Sequence, residues 1–153
     1  SIERSQARVT ITGIPDEPGM SGRILGVLGD DEINIDMIVS NIAHDGHARH
    51  SFTMHTNDLG RAQASLKPVL SELGGEADLE TEAGIAKLSV VGIGMRSHSG
   101  VAAQMFKALG EAGINIGMIS TSEIKISITV AETRIEDAAR VVHQVFGLDS
   151  APG

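Results

Sequence analysis

The sequence repeats itself, and that repeat constrains the fold more than any other feature. Arg8-Val9-Thr10-Ile11-Thr12-Gly13-Ile14 leads through a loop to Gly19, a helical stretch and Ile33-Asn34-Ile35-Asp36-Met37-Ile38. Lys87-Leu88-Ser89-Val90-Val91-Gly92-Ile93 leads in the same way to Gly100, a helical stretch and Ile114-Asn115-Ile116-Gly117-Met118-Ile119. The strand glycines are offset by 79 residues and the loop glycines by 81. The second loop is therefore two residues longer, where insertions are best tolerated. Of 153 residues, this makes two similar units, 1–83 and 84–153, rather than one large domain.

Periodicity gives each unit the order strand, helix, strand, strand, helix. Val9 and Ile11 alternate with Thr10 and Thr12, and Met20, Ile24, Val27 and Leu28 follow helical spacing. Met37–Asn41 and Ser51–Thr56 read as strands around the hairpin signal Asp45-Gly46. Ala62, Leu66, Val69, Leu70 and Leu73 mark a second helix that stops at Gly74-Gly75. Pro68 fits that helix only in its first turn or at a kink. Glu76, Asp78, Glu80 and Glu82 alternate with smaller residues, which predicts a strand with one wet, acidic face.

In the second copy Val101, Met105 and Leu109 line a helix. Ile124, Ile126, Ile128 and Val130 alternate with Lys125, Ser127 and Thr129, a half-buried strand. Thr133-Arg134-Ile135-Glu136 has capping-box spacing, and Gly147 closes the last helix. Little chain is left for a final strand, so it is either missing or supplied by another segment, such as that around Ile2. The order β-α-β-β-α-β predicts an α+β fold of two ferredoxin-like units, antiparallel sheets with helices on one face.

Composition excludes several functions. The chain has no Cys, Trp or Tyr and three Phe, so the core is aliphatic and thiolate chemistry is excluded. Twenty acids against twelve bases, with almost no stacking rings, make it a poor nucleic-acid binder. The excess sits in one half: residues 1–83 carry a net −8 and residues 84–153 are neutral. No apolar run spans a membrane and no secretory segment opens the chain, which fits a cytoplasmic protein.

Motifs for catalysis are missing too. There is no phosphate loop, no G-x-S-x-G and no H-E-x-x-H. Gly92, Gly94 and Gly100 miss dinucleotide-binding spacing. His44, His47, His50 and His55 cluster, but a metal needs three of them to converge; they read instead as solvent-exposed hairpin histidines. No metal, cofactor or catalytic residue is assigned.

The candidate sites are the two helix starts, after Ile14-Pro15-Asp16-Glu17-Pro18-Gly19 and after Gly94-Met95-Arg96-Ser97-His98-Ser99-Gly100. A helix N-terminus suits a carboxylate and nearby acids suit an ammonium, so each start can receive a free amino acid. Ordinary capping and turn chemistry reads the same residues without a ligand. A small phosphate or acyl-phosphate hydrolase, using Arg96 and Asn115, is the competing enzymatic reading.

The paired Ile-Asn-Ile-x-Met-Ile segments, the loop Gly92–Val101 and the run Ile119-Ser120-Thr121-Ser122-Glu123-Ile124-Lys125-Ile126-Ser127 resemble the regulatory region of aspartate kinase, a tandem pair of ACT domains. The resemblance implies no catalysis by this chain alone. It implies a homodimer joined through ACT sheets and a kinase catalytic domain or α subunit as partner. The effectors it implies are L-threonine, L-lysine or both, in feedback inhibition of aspartate-family amino-acid biosynthesis. A threonine-type site would use Asp16, Gly19, Ser21, Asn115, Ile116, Thr121 and Ser122. A lysine-type site would use Asn34, Ile35, Asp36, Met95, Ser97, His98 and Gly100, with Asp36 facing the side-chain ammonium. Two departures stand out: Ser40, where many relatives carry Gln, and His98-Ser99-Gly100 in place of His-Pro-Gly.

Overall fold

The computed structural model describes residues 1–42, 46–74, 77–91 and 98–146. In chain order the elements are β1 (Ile2–Pro15), α1 (Met20–Asp30), β2 (Ile38–Ile42), β3 (His47–His55), a 3-10 turn (Thr56–Asp58), α2 (Leu59–Leu73), β4 (Asp78–Val91), α3 (His98–Glu111), β5 (Ile119–Thr121), β6 (Lys125–Ala131), a second 3-10 turn (Glu132–Arg134) and α4 (Ile135–Phe146). The chain divides into two compact units: Gln6–Ala83, and Ser1–Ser5 with Gly84–Gly153.

The unit Gln6–Ala83 has the strand order β2-β3-β1-β4. β1 and β2 both pair antiparallel with β3, Val9 opposite Phe52 and Ser40 opposite His50. Alternation places Val9, Ile11, Ala48, Phe52 and Met54 on the face that α1 and α2 cover with Ile24, Leu28, Ala62, Leu66 and Val69. Each large side chain buried there contributes roughly 1.5–3 kcal/mol of transfer free energy. Pro68 lies well inside α2, not in its first turn. It sits on the exposed side, where the carbonyl it leaves without a donor faces water. From Asp78 the acidic row forms a strand, with Asp78, Glu80 and Glu82 exposed and half-buried Leu79 packed on the core, while Glu76 lies outside the described residues. Arg8 of β1 donates to Glu82 at 2.5 Å.

The other unit has the order β1-β4-β6-β5, with residues 2–5 of β1 as the outer strand beside β4. Ser1 and Ser89 exchange both backbone bonds, at 2.8 and 2.9 Å, the pattern of an antiparallel pair. Ile126, Ile128 and Val130 of β6 meet Leu88 of β4, Met105 and Leu109 of α3, and Ile135, Ala138 and Val142 of α4. Three expectations need correction here. β6 is buried on both faces: Ser127 and Thr129 are as hidden as the isoleucines, because Ser127 bonds Ser89 at 2.8 Å and Thr129 accepts the Met118 N–H at 2.7 Å. Ile124 precedes the strand and is exposed. α4 opens through a 3-10 turn in place of the predicted capping box. Glu132 of that turn accepts the Ser5 N–H at 2.5 Å, and Arg134 donates to the Ala112 and Gly113 carbonyls. The predicted stop at Gly147 lies outside the described residues.

β4 is one continuous strand where two were expected, 76–82 and 87–93. Gly84 sits in it at φ +72°, and Ser5 in β1 at φ +59°, each beside the division between the units.

The two units repeat their hydrogen bonds as well as their residues. Asp36 and Thr53 bond as Gly117 and Thr129 do, at 2.9 and 2.8 Å. The hydroxyls of Thr53 and Thr129 accept from Met37 and Met118. The Ile-Asn-Ile-x-Met segment is thus held by a Thr on the neighbouring strand in each copy.

Candidate functional site

The loop Asp16–Gly19 bridges β1 and α1 and is fixed by backbone. Asp16 donates to the Gly46 carbonyl at 3.3 Å, tying the loop to the hairpin, and Glu17 donates to Pro15 at 2.9 Å. Gly19 heads α1 at φ +90°, a conformation that glycine adopts without strain. No side chain caps α1 and no acid lies in its first turn, so its partial positive charge is available to a ligand. Beside it opens a cleft of about 390 Å³. Its polar lining is Asp16, Glu17, Ser21, Ser40, Asn41 and His50, over Ile14, Met20 and Ala48.

His50 lies at the back of this cleft and is 6 % exposed. It shares a strand face with Ala48, Phe52 and Met54, all core residues, and its ring centroid is 6.2 Å from that of Phe52. Nδ1 lies 2.7 Å from Ser40 Oγ and Nε2 lies 3.0 Å from Ser21 Oγ. Burial holds its pKa below the ordinary histidine value, and a hydrogen bond with the Arg49 backbone offsets part of that. The expectation of a solvent-exposed histidine is therefore wrong for His50, because the period-2 face of β3 carries it inward. His55 points the other way, is exposed, and accepts the Asn57 N–H at 3.1 Å. His44 lies outside the described residues. Among the described residues no three His, Cys, Asp or Glu gather as a metal would need.

Of the threonine-type set, Asp16 and Ser21 line the cleft and Gly19 heads the helix beside it. Asn115, Ile116, Thr121 and Ser122 belong to the other unit. There Asn115, Thr121 and Ser122 are exposed, Ile116 packs half-buried on the core, and Ser122 donates to the Lys125 carbonyl at 2.8 Å. Of the lysine-type set, Asn34 and Asp36 are exposed and Ile35 packs half-buried on the first core. His98 and Gly100 lie in the first turn of α3, and Met95 and Ser97 fall outside the described residues, as does Arg96. A Cβ on Gly117 would stand 2.6 Å from Thr129 Oγ1, so a side chain there would require that hydroxyl to shift.

Sequence reasoning missed His50 as a site residue. The signal was present in the alternation Ala48-x-His50-x-Phe52-x-Met54. Ser40, noted as a departure, proves to be its partner.

Residues 8–73 match the ACT domain family, and residues 88–146 match an ACT domain again. Aspartate kinase Ask_LysC of Stutzerimonas stutzeri is 44 % identical over the full chain, which spans 37 % of its length. The aspartokinase of Thermus thermophilus is 39 % identical over 99 % of the chain, again 37 % of its own length. The chain thus spans a little over a third of the curated relatives it matches. A crystal structure of aspartokinase alpha and beta subunits aligns with TM-score 0.87 and 42 % identity, covering 97 % of both chains. The ligand-free regulatory subunit of aspartate kinase from Thermus thermophilus aligns at 0.85 and 38 %, covering 95 % of each. These relatives do not favour the hydrolase reading. With an ACT domain in each half and a regulatory subunit matched almost end to end, the chain belongs to the aspartate kinase family, as its tandem-ACT regulatory region.

Proposed function

We propose that this region senses a free amino acid and passes its binding to an aspartate kinase catalytic domain or α subunit as feedback inhibition. The effectors are L-threonine, L-lysine or both. The carrying observation is the cleft beside α1, where an uncapped helix start, two hydroxyls and two carboxylates stand together. An α-amino acid needs those groups: donors for its carboxylate, acceptors for its ammonium. Asp16, Gly19 and Ser21 form one half of the threonine-type site, and Asn115, Ile116, Thr121 and Ser122 the other. Asn34, Ile35 and Asp36, with Met95, Ser97, His98 and Gly100, form the lysine-type site. Asp36 exposes a carboxylate suited to a side-chain ammonium. The region acts as a homodimer joined through its ACT sheets; the alpha and beta subunits of its structural relative support the kinase partner.

Isothermal calorimetry on the dimer against each amino acid tests this. Heat from L-threonine or L-lysine, and slower turnover of the cognate kinase with either, is expected. No heat from either one rejects it. Asp36→Ala is expected to weaken L-lysine more than L-threonine, and equal losses count against the assignment of the lysine-type site.

A further inference from the structure

His50 is a buried imidazole with a hydroxyl at each nitrogen, Ser40 at Nδ1 and Ser21 at Nε2, and both serines line the cleft. A neutral imidazole has one N–H donor and one bare acceptor. The serine at the N–H accepts from the ring and keeps its own proton to donate outward. The serine at the bare nitrogen spends its proton on the ring and can only accept from outside. The ring therefore makes the two hydroxyls opposite in kind, and exchanging its tautomer exchanges them. We propose that His50 is a specificity-determining positioning residue of this cleft: through Ser21 and Ser40 it presents one donor and one acceptor, matched to the carboxylate and ammonium of an α-amino acid. This rests on the amino-acid-sensing reading above and adds to it the group that orients the ligand.

The helix start sets the direction, with the Arg49 backbone as a further acceptor for the ring proton. Ser21 stands in the first turn of α1, the end of positive potential, so the carboxylate belongs there. Ser21 must then donate outward, Nε2 carries the ring proton, and Ser40 donates to Nδ1. Ser40 is left as an acceptor for the ammonium, alongside the carboxylates of Asp16 and Glu17 in the same cleft. An imidazolium would donate at both nitrogens, turn both serines into outward donors and remove the acceptor. Burial keeps the ring neutral at neutral pH, as the arrangement requires.

The test combines calorimetry with nitrogen-15 NMR of the His50 ring, using the whole region and L-threonine and L-lysine as probes. The expected result is that one probe binds and the ring nitrogens report Nε2–H in the complex. His50→Leu then loses tenfold or more in affinity. Ser40→Ala, an exposed change that leaves the fold in place, loses less but abolishes the nitrogen-15 response. His50→Gln, which keeps one donor and one acceptor, recovers part of the affinity. If a probe binds the wild-type protein while the ring reports Nδ1–H or an imidazolium in the complex, the proposal is overturned and amino-acid sensing stands. Equal affinity of wild type, His50→Leu and Ser40→Ala overturns it likewise. If neither probe binds the wild-type dimer, the sensing reading itself fails, and this proposal with it.

Discussion

Glu32 and Gly113 hold the same place after α1 and α3, and the backbone treats them alike. Each has positive φ, +58° and +73°, and each donates to a carbonyl three residues back. The next residue, Ile33 or Ile114, donates to Leu28 or Leu109 across the helix end, the closing bond of a Schellman turn. Only glycine takes this conformation without a Cβ penalty. Glu32→Gly is therefore expected to stabilise its unit by about 0.5–1 kcal/mol, part of the relief being lost to greater freedom of the unfolded chain. Gly113→Ala, with open space around its Cβ, is expected to cost about 1–2 kcal/mol from the backbone alone. Urea unfolding of both variants checks the pair; no gain from Glu32→Gly would mean that the turn is not strained. His50 makes a second residue-scale prediction. Its folded pKa is lowered, so the unfolded chain binds the extra proton first. Its neutral form contributes stability at pH above the ordinary value of 6.5, and that stability is lost as the pH falls through 6.5 toward the folded value. Denaturation midpoints between pH 7.5 and 5 are expected to fall less steeply for His50→Gln than for the wild type, and parallel curves would refute the buried-neutral state. The helix-start loop was legible in the sequence because prolines, acids and glycine mark it. The imidazole behind it was passed over because a hairpin full of histidines looked wet, although the alternation Ala48-x-His50-x-Phe52-x-Met54 marks which one turns inward.

Deleting residues 1–5 tests an arrangement of strands that no local pattern could give. Those five residues supply the outer strand of a unit that resumes only at Gly84. Their loss removes the Ser1–Ser89 backbone pair, the Glu132 contact to the Ser5 N–H and the Glu3–Lys87 ion pair at 3.4 Å. Lys87 is 6 % exposed, and the deletion removes one of its partners, the Glu3 carboxylate. The deletion is expected to lower the stability of the unit containing α3 and α4 by several kcal/mol, about 2 or more. Faster amide exchange is expected in 84–91 and 125–131, with little change in 47–55. Uniform change across both units would contradict the division. Element type was readable wherever an alternation or a helical stripe ran long, as in Ile126-x-Ile128-x-Val130 and Ile24 to Leu28. The acidic row and the second copy's first strand looked separate, because the repeat put the boundary between the units after residue 83. Gly84 instead takes a positive φ within β4, and the strand continues. The search for a missing last strand was sound arithmetic on element order, but its answer depended on pairing between distant segments.

Regulation belongs to the whole molecule, because a ligand shifts a kinase only as far as it prefers one arrangement of its regulatory region. The usual range is about 1–3 kcal/mol, or 5- to 150-fold in affinity. Two ACT units alone bury their aliphatic cores, yet each leaves an apolar sheet edge in water. On β2, Ile38 and Ile42 are 50 % and 64 % exposed; at β5, Ile119 is 43 % exposed. Edge strands with free backbone groups and isoleucines are templates for pairing, and proteins that keep them usually cover them. The proposed homodimer would cover them by joining such edges between copies. The units differ in charge, −8 against zero, so edges from unlike units meet with less repulsion than two copies of the acidic one. Ile38→Lys places a charge on the β2 edge outside the cleft lining and without touching either core. It is expected to raise the dimer dissociation constant by tenfold or more in sedimentation equilibrium, while circular dichroism stays unchanged. Amino-acid affinity measured below the new dissociation constant is expected to fall with it, if the proposed threonine- and lysine-type sites require the dimer. An unchanged dimer would remove β2 from the interface. A dissociated chain that still binds its amino acid with full affinity would make each chain a sensor by itself.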